Sequence, residues 1–248
     1  HSPAAPRDSD GALHVRLRLG ASHDEAKSSP TGGGSLMTSM STNGSVLSID
    51  RLSRRFGSHV VVQELDLSLE PGERVAFWGP NGSGKSTVLR CIAGTLLPSE
   101  GAVHVCGHQA GTLEARALVG ASLSQERSFD MRLTGHGNLL FFARLRFGSE
   151  HDAARRVDAV EEELGLKDIA AERVNRASSG MIQQVALARA LLGDPALVLL
   201  DEPTRSLDAD ARERLWQALE GRERTSVVMA THLDEDVKRC GRRVNFPT

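Results

Sequence analysis

Cysteine is scarce in this chain. There are three, Cys91, Cys106 and Cys240, in 248 residues, far apart and without the spacing of metal ligands. That excludes a disulfide framework and a cysteine zinc site, and it fits a reducing cytosol. Cys91 and Cys106 lie in apolar runs and are expected in the core. An excess of charge of either sign is also missing. Thirty Lys and Arg against 32 Asp and Glu leave a net charge of −2, so there is no general pull toward nucleic acid or anionic lipid. No apolar stretch approaches the ~18 residues needed to cross a bilayer, and the first residues contain no apolar signal-peptide centre. A role at a membrane therefore requires another chain to supply the membrane part. What is present, 40% hydrophobic and 25% charged residues, is the balance of an ordinary globular protein of one large or two small domains.

Residues 1–45 are rich in Ser, Gly, Pro, Ala and Asp, include Gly32-Gly33-Gly34 and show no sustained periodicity, so they are expected to be disordered. His1 is not a translation start. Met37 or Met40 is the expected native one, with residues 1–36 an upstream read-through or an added remnant, and N-terminal sequencing of natively expressed protein checks this. From 46 to 248 the pattern is that of one folded domain.

Gly79-Pro80-Asn81-Gly82-Ser83-Gly84-Lys85-Ser86-Thr87 fits G-x-x-x-x-G-K-[ST], the loop that wraps the phosphates of a nucleoside triphosphate. A Gly/Ser linker would also be glycine-rich, but it would lack the flanking pattern. Here the apolar run Arg74 to Trp78 predicts a short buried strand before the loop, and Ser86 to Ala93 a helix after it. Glycines let backbone N–H groups turn inward without Cβ clashes, and those amides with the positive helix end hold phosphate. Lys85 is expected to reach the β- and γ-phosphates, and the Ser86 hydroxyl to ligate Mg²⁺.

Leu197 to Leu200 is a continuous apolar strand ending in Asp201 and Glu202. Ligands of parallel sheets bind beyond the carboxyl ends of strands, so this strand should deliver both carboxylates beside the phosphate loop. Asp201 would hold Mg²⁺, partly through water, and Glu202 would polarise the attacking water. His232 follows the next predicted strand, Ser226 to Ala230, and should emerge on the same sheet edge. Ser178 or Ser179 suits the N-cap of a helix over Gly180 to Leu192, which reads either as a capped structural helix or as an anion site.

Strands are also predicted at Val46 to Leu52, Val60 to Leu69, Ala102 to Cys106 and Val119 to Leu123, and a helix at Ala209 to Leu219. In the second of these strands Leu65, Leu67 and Leu69 alternate with Glu64, Asp66 and Ser68, as in a half-exposed antiparallel sheet. Residues 133–175 are mostly helical in pattern, and the charges of the segment Asp152 to Leu164 (Arg155, Arg156, Asp158, Glu161, Glu162, Glu163) are expected to form a solvated face. The remaining strand–helix alternation implies a parallel sheet with helices on both faces.

Together these motifs resemble the nucleotide-binding subunit of an ATP-binding cassette (ABC) protein, over about Val46 to Val244. The resemblance implies an α/β P-loop NTPase with a mostly parallel core sheet, an antiparallel N-terminal β subdomain and an inserted α-helical subdomain at about 133–180. It implies Phe56 as the residue stacking on adenine, Gln125 as a Mg²⁺-sensing glutamine that couples to a membrane partner, Ser178, Ser179 and Gly180 in the signature loop, Asp208 in the loop crossing the dimer interface, and His232 as the switch histidine. ATP and Mg²⁺ would be bound between two cassettes facing head to tail, as a homodimer or a heterodimer. The partner would be a multi-span permease at the inner face of the cell membrane, and no nucleic acid is expected. Motif style is similar to type-two exporters of drugs, polysaccharides or lipid-linked glycans. A non-transport cassette ATPase, or a truncated copy that binds ATP without cycling, is the alternative. Three departures stand out: Ala177-Ser178-Ser179-Gly180-Met181 replaces the usual L-S-G-G-Q, Gln184 stands where arginine is common, and little sequence follows His232, which leads to the expectation of a truncated or minimal sheet edge.

Overall fold

A computed structural model describes residues 44–123 and 128–246. The expected disorder of 1–45, the candidate starts Met37 and Met40, and Gln125 lie outside the described residues, save for residues 44 and 45.

In chain order the strands are β1 (Leu47–Phe56), β2 (His59–Leu69), β3 (Arg74–Trp78), β4 (Glu100–Val105), β5 (His108–Gln109), β6 (Val119–Ser122), β7 (Leu197–Asp201), β8 (Ser226–Thr231) and β9 (Gly241–Asn245). The helices are α1 (Lys85–Ile92), α2 (Leu113–Leu118), α3 (Gly135–Phe147), α4 (Glu150–Glu163), α5 (Lys167–Ala171), α6 (Ser179–Leu191), α7 (Ala209–Glu220) and α8 (Asp234–Cys240).

The strands form two sheets. One is antiparallel, in the order β2-β1-β4-β5, and the other is parallel, in the order β6-β7-β8-β3-β9. The alternation read in β2 holds: Leu65, Leu67 and Leu69 are buried and Glu64, Asp66 and Ser68 exposed. β7 and β8 behave differently, because both of their faces are covered. Leu197, Leu199, Val228 and Ala230 enter one hydrophobic core, together with the antiparallel sheet and α1. Val198, Leu200, Val227 and Met229 enter a second core, together with α3, α4, α6 and α7. Strands covered on both sides need apolar side chains at every position, which is why these runs are uninterrupted.

Parallel pairing places the ends of β3, β7 and β8 side by side: Trp78 pairs with Thr231, and Asp201 with Ala230. The phosphate loop, the two carboxylates and His232 therefore leave the sheet at one edge, as the sequence pattern required.

Two expectations need correction. The charged residues of α4 do not all face solvent. Glu161 is buried at 5% exposure, and His136 Nδ1 of α3 lies 3.0 Å from its Oε1. Burial raises the Glu161 carboxyl above its usual range, while His136 acts to lower it. Cys106 is only partly buried, whereas Cys91 and Cys240 are in the core. After His232 the chain adds α8 and β9. β9 runs parallel to β3 on the side away from β8, so the strand carrying the phosphate loop has a neighbour on each side.

Candidate functional site

The phosphate loop bridges β3 and α1. Lys85 stands at the start of the helix, and its Nζ donates to the carbonyl oxygens of Gly79 at 2.7 Å and Pro80 at 2.8 Å. Lys85 as a whole is buried at 6% exposure. Burial lowers its pKa, and the nearby Glu202 and Asp201 carboxylates act to raise it again. Gly84, just before the helix, has φ +97° and presses on β2: a Cβ there would stand 2.9 Å from the carbonyl oxygen of Val61. That position needs glycine for both conformation and space. No side chain caps α1 and no acidic residue lies in its first turn, so its first amides are left for an anion.

A cavity of about 260 Å³ gathers Asn81, Gly82, Ser83, Gly84, Lys85, Ser86 and Thr87 with Asp201 and Glu202. Arg205 also lines it. Arg205 is a functional candidate that the sequence reading missed, and the available signal is a cation three residues past Glu202.

Glu202 is strained and unsatisfied. Its φ is +50°, in the left-handed region, which costs a non-glycine residue about 1–2 kcal/mol. Its backbone N–H donates to Ala230 O at 2.9 Å, which fixes the turn against the end of β8. Both carboxylate oxygens are buried, and neither accepts a hydrogen bond among the described residues. His232 Nδ1 lies 2.7 Å from Oε2 but is not aligned to donate to it. An unsatisfied buried carboxylate is costly unless a ligand completes it. Asp201, next to it, is 5% exposed. Two carboxylates and the Ser86 hydroxyl in one cavity form a hard-oxygen donor set, which fits a Mg²⁺–triphosphate. Magnesium would supply charge neutralisation on the phosphates, with Ser86 and Asp201 as the residues to hold it.

The remaining predicted residues do not line this cavity. Phe56, the last residue of β1, is 48% exposed, and the Arg54 guanidinium sits 4.4 Å from its ring centroid. Ser178 caps α6, its hydroxyl accepting from Met181 N at 3.2 Å, with Ser179 and Gly180 in the first turn. Asp208 caps α7, its Oδ1 accepting from Ala211 N at 2.7 Å. Gly180 packs on the loop before Asp208, where a Cβ would come within 2.8 Å of Ser206 O. Gln125 lies outside the described residues. Each chain thus carries a phosphate cavity and, apart from it, a capped helix start against the Ser206 loop.

The ABC transporter family profile matches residues 62–205. The chain is 34% identical over 203 residues to the ABC transporter ATP-binding protein NatA of Bacillus subtilis, covering 78% of this chain and 82% of that one. It is 37% identical over 197 residues to the Nod factor export ATP-binding protein I of Rhizobium johnstonii, covering 77% of this chain and 63% of that one. Among solved structures, a dimeric ATP-binding cassette in a post-hydrolysis state bound to ADP and Pi superposes with a TM-score of 0.70 at 25% identity, covering 79% of this chain and 95% of that one.

Proposed function

The chain belongs to the ABC transporter family as an ATP-binding subunit, and on that premise we propose that it hydrolyses ATP to drive an exporter. The observation that carries the reading is Glu202: a strained carboxylate whose buried oxygens accept no hydrogen bond among the described residues, with His232 2.7 Å away, sharing a cavity with Lys85 and Ser86. Strain and unsatisfied polarity of this kind persist where function requires them.

Lys85 exchanges its bonds to Gly79 and Pro80 for the β- and γ-phosphate oxygens, while the α1 amides hold the phosphates from below. Glu202 orients the attacking water and accepts its proton. His232, beside Glu202, contacts the γ-phosphate. Arg205 adds positive charge at the cavity wall. The residues that do not line the cavity find their place in a second copy. Two cassettes close head to tail, and the α6 N-terminus of one chain, with Ser178, Ser179 and Gly180, completes the phosphate site of the other, beside Asp208. Phe56 stacks on the adenine. Loss of the γ-phosphate removes the contacts that hold the two copies together, so binding and hydrolysis drive closing and opening. The dimeric cassettes among similar structures support this.

Export as the direction is supported by the Nod factor export relatives. No helix among the described residues is long and apolar enough to cross a membrane, and the proposed partner is a multi-span permease at the inner face of the cell membrane. A groove of about 290 Å³, lined among others by Phe142, Leu145 and Arg146 of α3 and Arg189 of α6, fits a docking element of that partner. The neighbouring Phe141 and Leu145 are exposed at 52% and 71%. Gln125, which lies outside the described residues, would by the family resemblance sense Mg²⁺ and couple to the membrane partner.

Light scattering of Glu202→Gln with and without Mg-ATP, together with turnover of the unmodified chain, tests the proposal. An ATP-dependent shift from monomer to dimer and a measurable ATPase rate are expected. A chain that neither dimerises nor turns over ATP sinks it.

A further inference from the structure

Among the described residues, Asp236 is the most deeply buried carboxylate outside the phosphate cavity, with 0% exposure. It sits in the first turn of α8, and three side chains converge on it. Thr204 Oγ1 donates to its Oδ2 at 2.5 Å, Thr231 Oγ1 to the same oxygen at 3.1 Å, and Trp216 Nε1 to Oδ1 at 3.2 Å. The donors come from three different places. Thr204 lies two residues past Glu202, in the loop after β7. Thr231 ends β8 and immediately precedes His232. Trp216 belongs to α7. The Thr231 hydroxyl also accepts from Leu233 N at 3.1 Å, which fixes the backbone on both sides of His232.

We propose that Asp236 is a positioning residue of the ATPase site: its buried carboxylate ties the loop carrying Glu202 to the loop carrying His232, and so sets the 2.7 Å approach of those two side chains. The inference rests on the ATPase reading of that site. Buried charges are stable where they are hydrogen-bonded, and here each oxygen of one carboxylate is used. Oδ2 alone receives both loops. The backbone bond from Glu202 N to Ala230 O at 2.9 Å ties the start of the turn to the end of β8, and Gln183 Nε2 donates to Pro203 O at 3.5 Å. The loop's other backbone bonds are local, from Arg205 N to Glu202 O and from Leu207 N to Thr204 O, and the Asp236 carboxylate adds a buried side-chain tie between the two loops. Trp216, on Oδ1, secures α8 to α7 and bears on neither loop. The geometry therefore separates a positioning side of the carboxylate from a structural side.

That separation gives the test. Asp236→Asn, Thr204→Val and Trp216→Phe are compared for kcat and KM with Mg-ATP, for melting temperature, and for the imidazole NMR resonances of His232 without nucleotide, assigned with His232→Ala. Asp236→Asn and Thr204→Val are expected to lower kcat by about 10–100-fold with little change in KM, as small misplacements of reacting groups do, and to shift the His232 resonances. Trp216→Phe is expected to lower the melting temperature while leaving kcat and the His232 resonances unchanged. Thr204→Val removes one hydroxyl at constant shape and decides the matter if Asp236→Asn does not fold. Unchanged kcat and unshifted His232 in folded Asp236→Asn or Thr204→Val overturn the proposal, as does an equal loss of kcat in Trp216→Phe. An unmodified chain without turnover counts against the ATPase reading alone. The His232 resonances then decide the positioning claim by themselves.

Discussion

Gly180 and Ser206 are packed so closely that a Cβ on the glycine would stand 2.8 Å from the serine carbonyl oxygen. This contact joins the start of α6 to the loop leading into α7 within one chain. Both segments are proposed to face a second copy, so the contact makes them one surface with a fixed relief. Gly180→Ala must push them apart. We expect ATP affinity of the single chain to stay within about 2-fold, because the phosphate loop is untouched, while ATP-driven dimerisation in the Glu202→Gln background is lost. Light scattering and nucleotide titration read the two effects separately.

Lys85→Ala removes the buried cation of the phosphate cavity. ATP binding is expected to fall below detection in equilibrium dialysis. Retained tight binding would refute the role given to the loop.

Glu202 combines a left-handed backbone with a buried, unsatisfied carboxylate. Glu202→Gly relieves both. It is expected to stabilise the nucleotide-free chain by about 1 kcal/mol or more in urea unfolding, while turnover drops by several orders of magnitude. Glu202→Gln should lose turnover equally without that gain in backbone freedom. A destabilised Glu202→Gly would show that the turn is not strained.

Phe56 presents an exposed ring with Arg54 over it. If adenine stacks there, Phe56→Ala should weaken nucleotide affinity by about 1–3 kcal/mol, in line with base–aromatic stacking elsewhere. Phe56→Trp should retain it. Isothermal titration with ATP and with triphosphate alone distinguishes the base from the phosphates.

The cysteines predict a pH dependence. Burial pushes the Cys240 thiol from 9.0 up to about 12, with Asp236 adding to the effect. It pushes Cys91 from 9.0 to about 11, against a smaller lowering by Arg54. Both folded values lie above the unfolded ones. The stability these thiols contribute is therefore fully present below pH ~9 and is lost as pH rises toward the folded values. Urea midpoints should fall between pH 9 and 11, and less steeply in Cys240→Ala. In native protein at pH 8, a thiol reagent should modify the partly exposed Cys106 first.

How much of this was legible beforehand depended on where the determining contacts lie. β3 and β7 were readable because strands covered on both faces leave their mark as unbroken apolar runs. The phosphate loop was readable because its chemistry is local, nine residues in succession. α8 and β9 were not. Gly241-Arg242-Arg243-Val244-Asn245 has no strand-like alternation of its own and becomes a strand by pairing with β3. In the same way Asp234, Glu235 and Asp236 look equivalent in sequence, yet only the last is buried. Its partners come from 32, 20 and 5 residues away. Glu161 escaped for a similar reason, since its partner His136 stands on another helix.

β9 has one more consequence, which concerns synthesis. Phe246, just after it, donates its backbone N–H to Trp78 O at 2.7 Å and packs its ring, tilted by 49°, with its centroid 5.0 Å from that of Phe77. The space beside Gly79 is filled by Phe246 as well: a Cβ on that glycine would lie 2.7 Å from its carbonyl oxygen. The motif written at residues 79–87 is thus braced by a residue translated long after it. A growing chain would carry the complete motif while it is still unable to hold a nucleotide firmly. Ribosome-stalled chains ending before residue 241 are therefore expected to resist nucleotide capture that longer ones achieve, which ties ligand loading to the emergence of β9 and Phe246 rather than to the first appearance of the loop.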